Sequence, residues 1–220
     1  MMQKGWTNRL VIRAISITLV IGFLILEGCT PPPPQNTQDA CAIFNEYPRW
    51  YWASLDSYRR WGIPVSVQLA IMRQESHFVG NAAPPRTTLF GFIPWKRPTT
   101  AYGYAQALNG TWRHYIVATG NTGADRDNFA DASDFIGWYG YQAHQQLGIS
   151  RNNAYELYLA YHEGIGGYKN KTFEQKPWLI GVARKVQSWA NVYRNQIGRC
   201  KYQIAKPSFA NMMIWKRLHI

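Results

Sequence analysis

Glu75 stands near the end of Ile71–Phe78, IMRQESHF, a stretch of helical spacing and mostly apolar composition. A carboxyl at the end of an apolar helix is partly withdrawn from water. That raises its pKa and lets it hold a proton near neutral pH, as a general acid must. The alternative is a solvated surface charge, the ordinary state of a glutamate. Other chemistries find less support. His77, His114, His144, His162 and His219 form no HExxH, the three cysteines have no paired metal-ligand spacing, and neither GxSxG nor a phosphate-cradling glycine loop occurs. No metal and no cofactor is therefore expected. Acid–base chemistry by a carboxylate remains, with Asp125, Asp127, Asp131, Asp134, Glu156 and Glu163 as candidates for a second acidic role. The Asp group reads most simply as helix-start capping. Glu163 has two readings: a solvated helix end, or a neighbour of Glu75 whose charge would help to raise its pKa.

Helices must position such a carboxyl. In Glu46–Trp61 the apolar residues Tyr47, Trp50, Tyr51, Leu55 and Tyr58 fall at helical spacing, and Gly62 breaks the pattern. Pro64 suits the first turn of a second helix, VSVQLAIMRQES, with Val67, Leu69, Ala70 and Met72 toward a core. Residues 80–100 carry four prolines and no helical period, which predicts a long loop. Further helices are expected within Gln106–Thr119, beginning near Asn109, over Asp131–Leu147, and over Asn152–Tyr161, the last ended by GIGG. Glu174–Ile197 supports one or two more. No alternating strand pattern and no internal repeat is visible, so the fold class is mainly α.

The 220 residues suit one domain, and 46% hydrophobic against 16% charged residues marks a globular chain rather than a disordered one. The 10 Trp and 14 Tyr exceed what a core alone requires, and they offer flat faces with polar edges to sugars or bases. A formal charge of +12 favours anionic partners. Lys4, Arg9 and Arg13 precede the short apolar run Ala14–Leu26, the order of a signal peptide, with an uncleaved helical anchor as the alternative. Leu26-Glu27-Gly28-Cys29 resembles a bacterial lipobox, from which it departs at Glu27. This implies lipidation of Cys29 and a membrane tether. The expected organisation is a signal peptide over 1–28, a Pro-rich spacer over 29–40, a domain over 41–200, and a basic and apolar tail over 201–220. Export removes the chain from nucleic acid, so that partner is not expected. An oxidising compartment invites a Cys41–Cys200 disulfide, with two unpaired thiols as the alternative.

Four motifs in order carry a resemblance. Gln68–Phe78, QLAIMRQESHF, resembles the helix ending in Glu-Ser that opens the lytic transglycosylase domain of the soluble lytic transglycosylase family. Tyr102-Gly103-Tyr104-Ala105-Gln106 resembles that family's Gly-Leu-Met-Gln element, keeping the glycine and the glutamine. Asp127-Asn128-Phe129 resembles its Asp-Pro-x-x-Asn-Ile helix start, and Ala160-Tyr161-His162-Glu163-Gly164 resembles its Ala-Tyr-Asn-Ala-Gly. The departures are Tyr-Ala for Leu-Met, His162-Glu163 for Asn-Ala, and a longer Pro-rich interval before Gln106.

The resemblance implies a lysozyme-like helical domain of the goose-type and soluble lytic transglycosylase kind, with long loops. Its substrate would be the glycan strands of peptidoglycan. Glu75 would be the single acid and base, and the product would bear 1,6-anhydro-muramoyl ends. Ser76, Tyr102, Tyr104, Gln106, Tyr161 and Glu163 become candidate substrate-binding residues, with Trp95 and Trp112 as further aromatic platforms. Gln106 would bond the sugar's polar groups, and Tyr161 would lie beside the acid. A lysozyme-type hydrolase and a non-catalytic peptidoglycan-binding lipoprotein remain as alternatives. Thr30 after Cys29 points to the periplasmic face of the outer membrane.

Overall fold

The computed structural model describes residues 30–206 apart from 90 and 95, so the expected signal peptide, Cys29, Trp95 and most of the tail lie outside the described residues. The described chain is a helical domain. Helix α1 (Ala40–Glu46) is capped by Asp39, whose side chain accepts from the Cys41 N–H at 2.8 Å. Pro48 then opens α2 (Pro48–Trp61), which ends on Gly62 in the left-handed region. The helix expected over 46–61 is α2, which starts two residues later because Pro48 can open a helix but cannot continue one, and α1 before it is not among the expected helices.

Helix α3 (Val65–Ser76) is the central element. Val65 to Met72 are buried without interruption, including Ser66 and Gln68, so the helix is covered on every side rather than along one stripe. The Gln68 amide nitrogen donates to the carbonyls of Ser54 and Ile63, at 3.1 and 2.7 Å. Helix α4 (Asn109–Thr119) follows the long loop. Helix α5 (Phe129–Leu147) is capped by Asn128, and α6 (Ala154–Lys169) by Asn153. Asn153 and Glu156 cap reciprocally. The Asn153 oxygen accepts from the Glu156 N–H at 3.1 Å, and its amide donates to the Glu156 carboxylate at 2.7 Å. Gly164 interrupts α6 with φ 78°, placing a bend directly after Tyr161-His162-Glu163. A 3-10 turn (Thr172–Gln175) leads into α7 (Pro177–Cys200).

Helix α3 packs on α7, α2 on α5, and α6 on both α5 and α7. Ser57 at the α2–α5 crossing donates to the Ser133 carbonyl at 2.8 Å. Gly137 permits that approach, since a Cβ there would lie 2.3 Å from the Ser57 hydroxyl oxygen. An aromatic cluster fills the core beside it: Trp50 lies flat on Phe129 at 4.0 Å, and Tyr104 meets both edge-on at 5.6 Å.

Three expectations need correction. The 80–100 loop contains a small antiparallel hairpin, β1 (Thr88–Leu89) with β2 (Ile93–Pro94), turning at Gly91 with φ 80°. The 29–40 segment is not a free spacer from Pro32 onward. Pro34 is buried, the Tyr47 hydroxyl donates to the Pro32 carbonyl at 2.9 Å, and Arg73 donates to the Thr37 carbonyl. The folded unit also passes residue 200: Ile204 is buried, and the Trp52 indole donates to the Ala205 carbonyl at 2.9 Å. Cys41 and Cys200 form a disulfide that joins α1 to the end of α7. Among the described residues no helix is long and apolar enough to cross a membrane.

Candidate active site

Where α3 leaves the core, its sequence changes from apolar to Arg73-Gln74-Glu75-Ser76, and the chain then turns sharply. His77 and Phe78 both take positive φ, 51° and 64°. Such angles are costly for residues with a Cβ, and here they are held by the complete burial of Phe78 against Trp50. The turn leaves Glu75 half-buried.

Burial pushes the Glu75 carboxyl up to about 7, and a hydrogen bond from the Tyr158 phenol, which favours the anion, offsets part of that rise. Glu75 is therefore close to half-protonated at neutral pH. The same proximity pushes Tyr158 upward, through burial first and then the Glu75 charge. Tyr161, one turn along α6, is also driven well above the usual phenol range by burial and then by Glu75. Its hydroxyl donates to the Ala105 carbonyl at 2.5 Å, which fastens α6 to the Tyr102–Gln106 element.

That element has its own constraints. Gly103 sits at φ 81°, and a Cβ there would lie 2.0 Å from the Arg126 carbonyl oxygen, which accepts from the Tyr104 N–H at 3.1 Å. Gln106 is held at φ 47°, and its amide nitrogen donates to the carbonyls of Ala82 and Gly103, at 2.8 and 2.9 Å. The side-chain NH2 thus ties the start of the long loop to the motif, while the amide oxygen has no partner among the described residues. Tyr102 is half-buried and donates to Asp127 at 3.2 Å, with the Arg126 guanidinium over its ring at 5.2 Å.

Other expected residues are placed elsewhere. Tyr104 is 0% exposed within the Trp50–Phe129 cluster, so its ring is unable to stack on a sugar. Trp112 is likewise core, against Tyr115 and Phe135. Ser76 is buried and bonds back to the Met72 carbonyl at 3.3 Å, a helix-end contact rather than one to Glu75.

The second acids all have their own partners. Asp134 accepts from the Trp61 indole at 2.7 Å and the Tyr115 hydroxyl at 2.8 Å. Asp131 accepts from the Asp125 N–H at 3.0 Å, bracing the loop before α5. Asp127 pairs with Asp125 and Tyr102, and burial together with the Asp125 charge raises its pKa. Glu156 belongs to the Asn153 cap. The Glu163 side chain is only 3% exposed and meets Lys176 at 2.8 and 3.0 Å, His162 at 3.0 Å, and the Thr172 hydroxyl. Burial opposes its ionisation, but these donors prevail and hold it at about 2. It is neither a free helix-end charge nor a contributor to the raised pKa of Glu75.

Sequence reasoning missed Tyr158. Its spacing offered a signal: three positions before Tyr161 on one helix puts both rings on the same face. With this geometry in view, residues 17–200 match the family model described as Transglycosylase SLT domain. Among curated proteins, none matches the chain.

Proposed function

The chain belongs to the transglycosylase SLT domain family, whose activity is of the lytic-transglycosylase type on peptidoglycan, and on that premise we propose that Glu75 alone performs the acid and base steps. The bond cleaved is the β-1,4 link from N-acetylmuramic acid to N-acetylglucosamine. The protonated carboxyl gives its proton to the glycosidic oxygen as the C1–O bond breaks. The resulting carboxylate then takes the proton of the muramoyl C6 hydroxyl, whose oxygen bonds to C1 and closes the 1,6-anhydro ring. No water is consumed, and Glu75 ends protonated as it began.

One observation carries this reading: a glutamate with a pKa of about 7 faces Tyr158, while six competing acids are bound into other contacts. A group poised near neutral pH serves as both donor and acceptor. A hydrolase of the usual kind needs a second carboxylate about 5–9 Å from the first. Gln106 offers its amide oxygen to a sugar hydroxyl or acetamido N–H, and Tyr102 lines the same element.

Mass spectrometry of sacculi digested by the purified chain tests the proposal. Muropeptides with anhydro ends and no new reducing muramic acid support it, and new reducing ends would replace it with hydrolysis. We place the enzyme at the periplasmic face of the outer membrane, tethered by lipid on Cys29. Detergent-phase partitioning that survives Cys29→Ala would remove that anchor.

A further inference from the structure

We propose that His162 and Trp178 form a sugar-binding subsite beside the acid, where the indole stacks on a neutral N-acetylhexosamine ring of the glycan strand. This rests on the reading above that glycan strands are the substrate. Trp178 is the second residue of α7 and is 58% exposed, whereas Trp50, Trp112 and Trp138 are all buried. Its ring is nonetheless fixed. It meets His162 edge-on at 5.2 Å, and the His162 ring lies 6.4 Å from that of Tyr158, the hydrogen-bond partner of Glu75. An unbroken line of rings thus runs from the acid to the surface.

The Glu163 network makes this line rigid. Its carboxylate holds His162 Nδ1 from α6 and Lys176, the residue before Pro177-Trp178, so one anion locks the two halves of the subsite together. Because Glu163 is ionised, Nδ1 carries the hydrogen, and in the neutral ring Nε2 is left to accept from a sugar hydroxyl. The same ion pair decides the ligand. Lys176, two residues before Trp178, is already paired with Glu163, so the surface offers an aromatic face and an acceptor rather than a site for a stem-peptide carboxylate. A pyranose with C–H bonds on one face and hydroxyls at its rim matches that combination.

Calorimetric binding of peptide-free glycan strands to the full chain carrying Glu75→Gln, which prevents turnover, provides the test. Adding Trp178→Ala is expected to weaken binding about ten-fold, and Trp178→Tyr to stay within about three-fold of the parent. Raising the salt concentration should leave the Trp178 effect in place, as stacking on a neutral ring requires. Unchanged affinity in Trp178→Ala overturns the subsite. So does a Tyr variant as weak as Ala, a Trp178 effect seen only with peptide-bearing strands, or a parent that binds no strands. The binding result is independent of cleavage: if Glu75→Gln still cuts sacculi, the catalytic proposal fails while the subsite stands or falls on its own numbers.

Discussion

The Tyr158 phenol on α6 stands beside the Glu75 carboxyl at the end of α3, close enough to favour its anion and so moderate what burial does to that acid. Burial alone favours the neutral form, whereas the phenol donor favours the anion. The balance at about 7 is a property of the pair. Tyr158→Phe removes the donor without opening a large cavity. The Glu75 pKa should rise by about one unit, the worth of a hydrogen bond to a charged group. Since the protonated carboxyl is the donor, the alkaline limb of the pH–rate profile should move upward by the same amount. A profile that stays in place or moves down would show that Tyr158 does not set this acid.

Glu75 should also weaken the fold as pH rises. Its folded pKa lies above its ordinary value of 4.5, so between about 4.5 and 7 the native state binds more protons than the unfolded state. Stability is therefore fullest below that window and is lost as pH rises through it. Glu75→Gln removes the titrating group and should be more stable than the parent at pH 8 by about 3 kcal/mol, with the gap closing at acid pH. Urea unfolding of the two chains at several pH values checks the sign. The same substitution should reduce sacculus cleavage at least a hundred-fold.

Gly103→Ala tests whether the motif glycine serves the backbone. The added methyl faces the Arg126 carbonyl at 2.0 Å and sits at positive φ, so either the turn or the loop before α5 must shift. A loss of about 2–4 kcal/mol is expected, with reduced turnover because Gln106 lies three residues on. Wild-type stability and turnover together would sink this account.

The Cys41–Cys200 bridge closes a loop with a sequence separation of 159 residues, and most of the domain lies inside it. Reduction, or Cys41→Ser with Cys200→Ser, should cost about 2–5 kcal/mol by releasing conformational entropy in the unfolded chain. Thermal unfolding with and without reductant measures it. No change in midpoint would mean that packing of α1 on α7 suffices without the bond.

Much of this was legible in the chain itself. The α3 helix is apolar at nearly every position until Arg73, and a helix buried on all sides must surface somewhere. Its first ionisable residues therefore mark the edge of the core. Asn109 and Leu147 are local signals that coincide with observed boundaries, whereas GIGG, expected to end its helix, only bends α6 at Gly164 before the helix runs on to Lys169. The hairpin in the 80–100 loop gave no such signal, because its strands are two residues long and alternation needs more.

By itself the sequence determined most of the helical elements and the one carboxyl stranded at the end of an apolar helix. These follow from side-chain periodicity and backbone sterics, which act over a few residues. Only the tertiary structure decided what each polar group meets. Glu75 faces Tyr158 from another helix, Glu163 is claimed by Lys176 and Thr172, and Tyr104 is enclosed by Trp50 and Phe129. Burial and charge pairing depend on residues distant in the chain, and they separate two glutamates of the same chemistry, one at about 7 and the other at about 2.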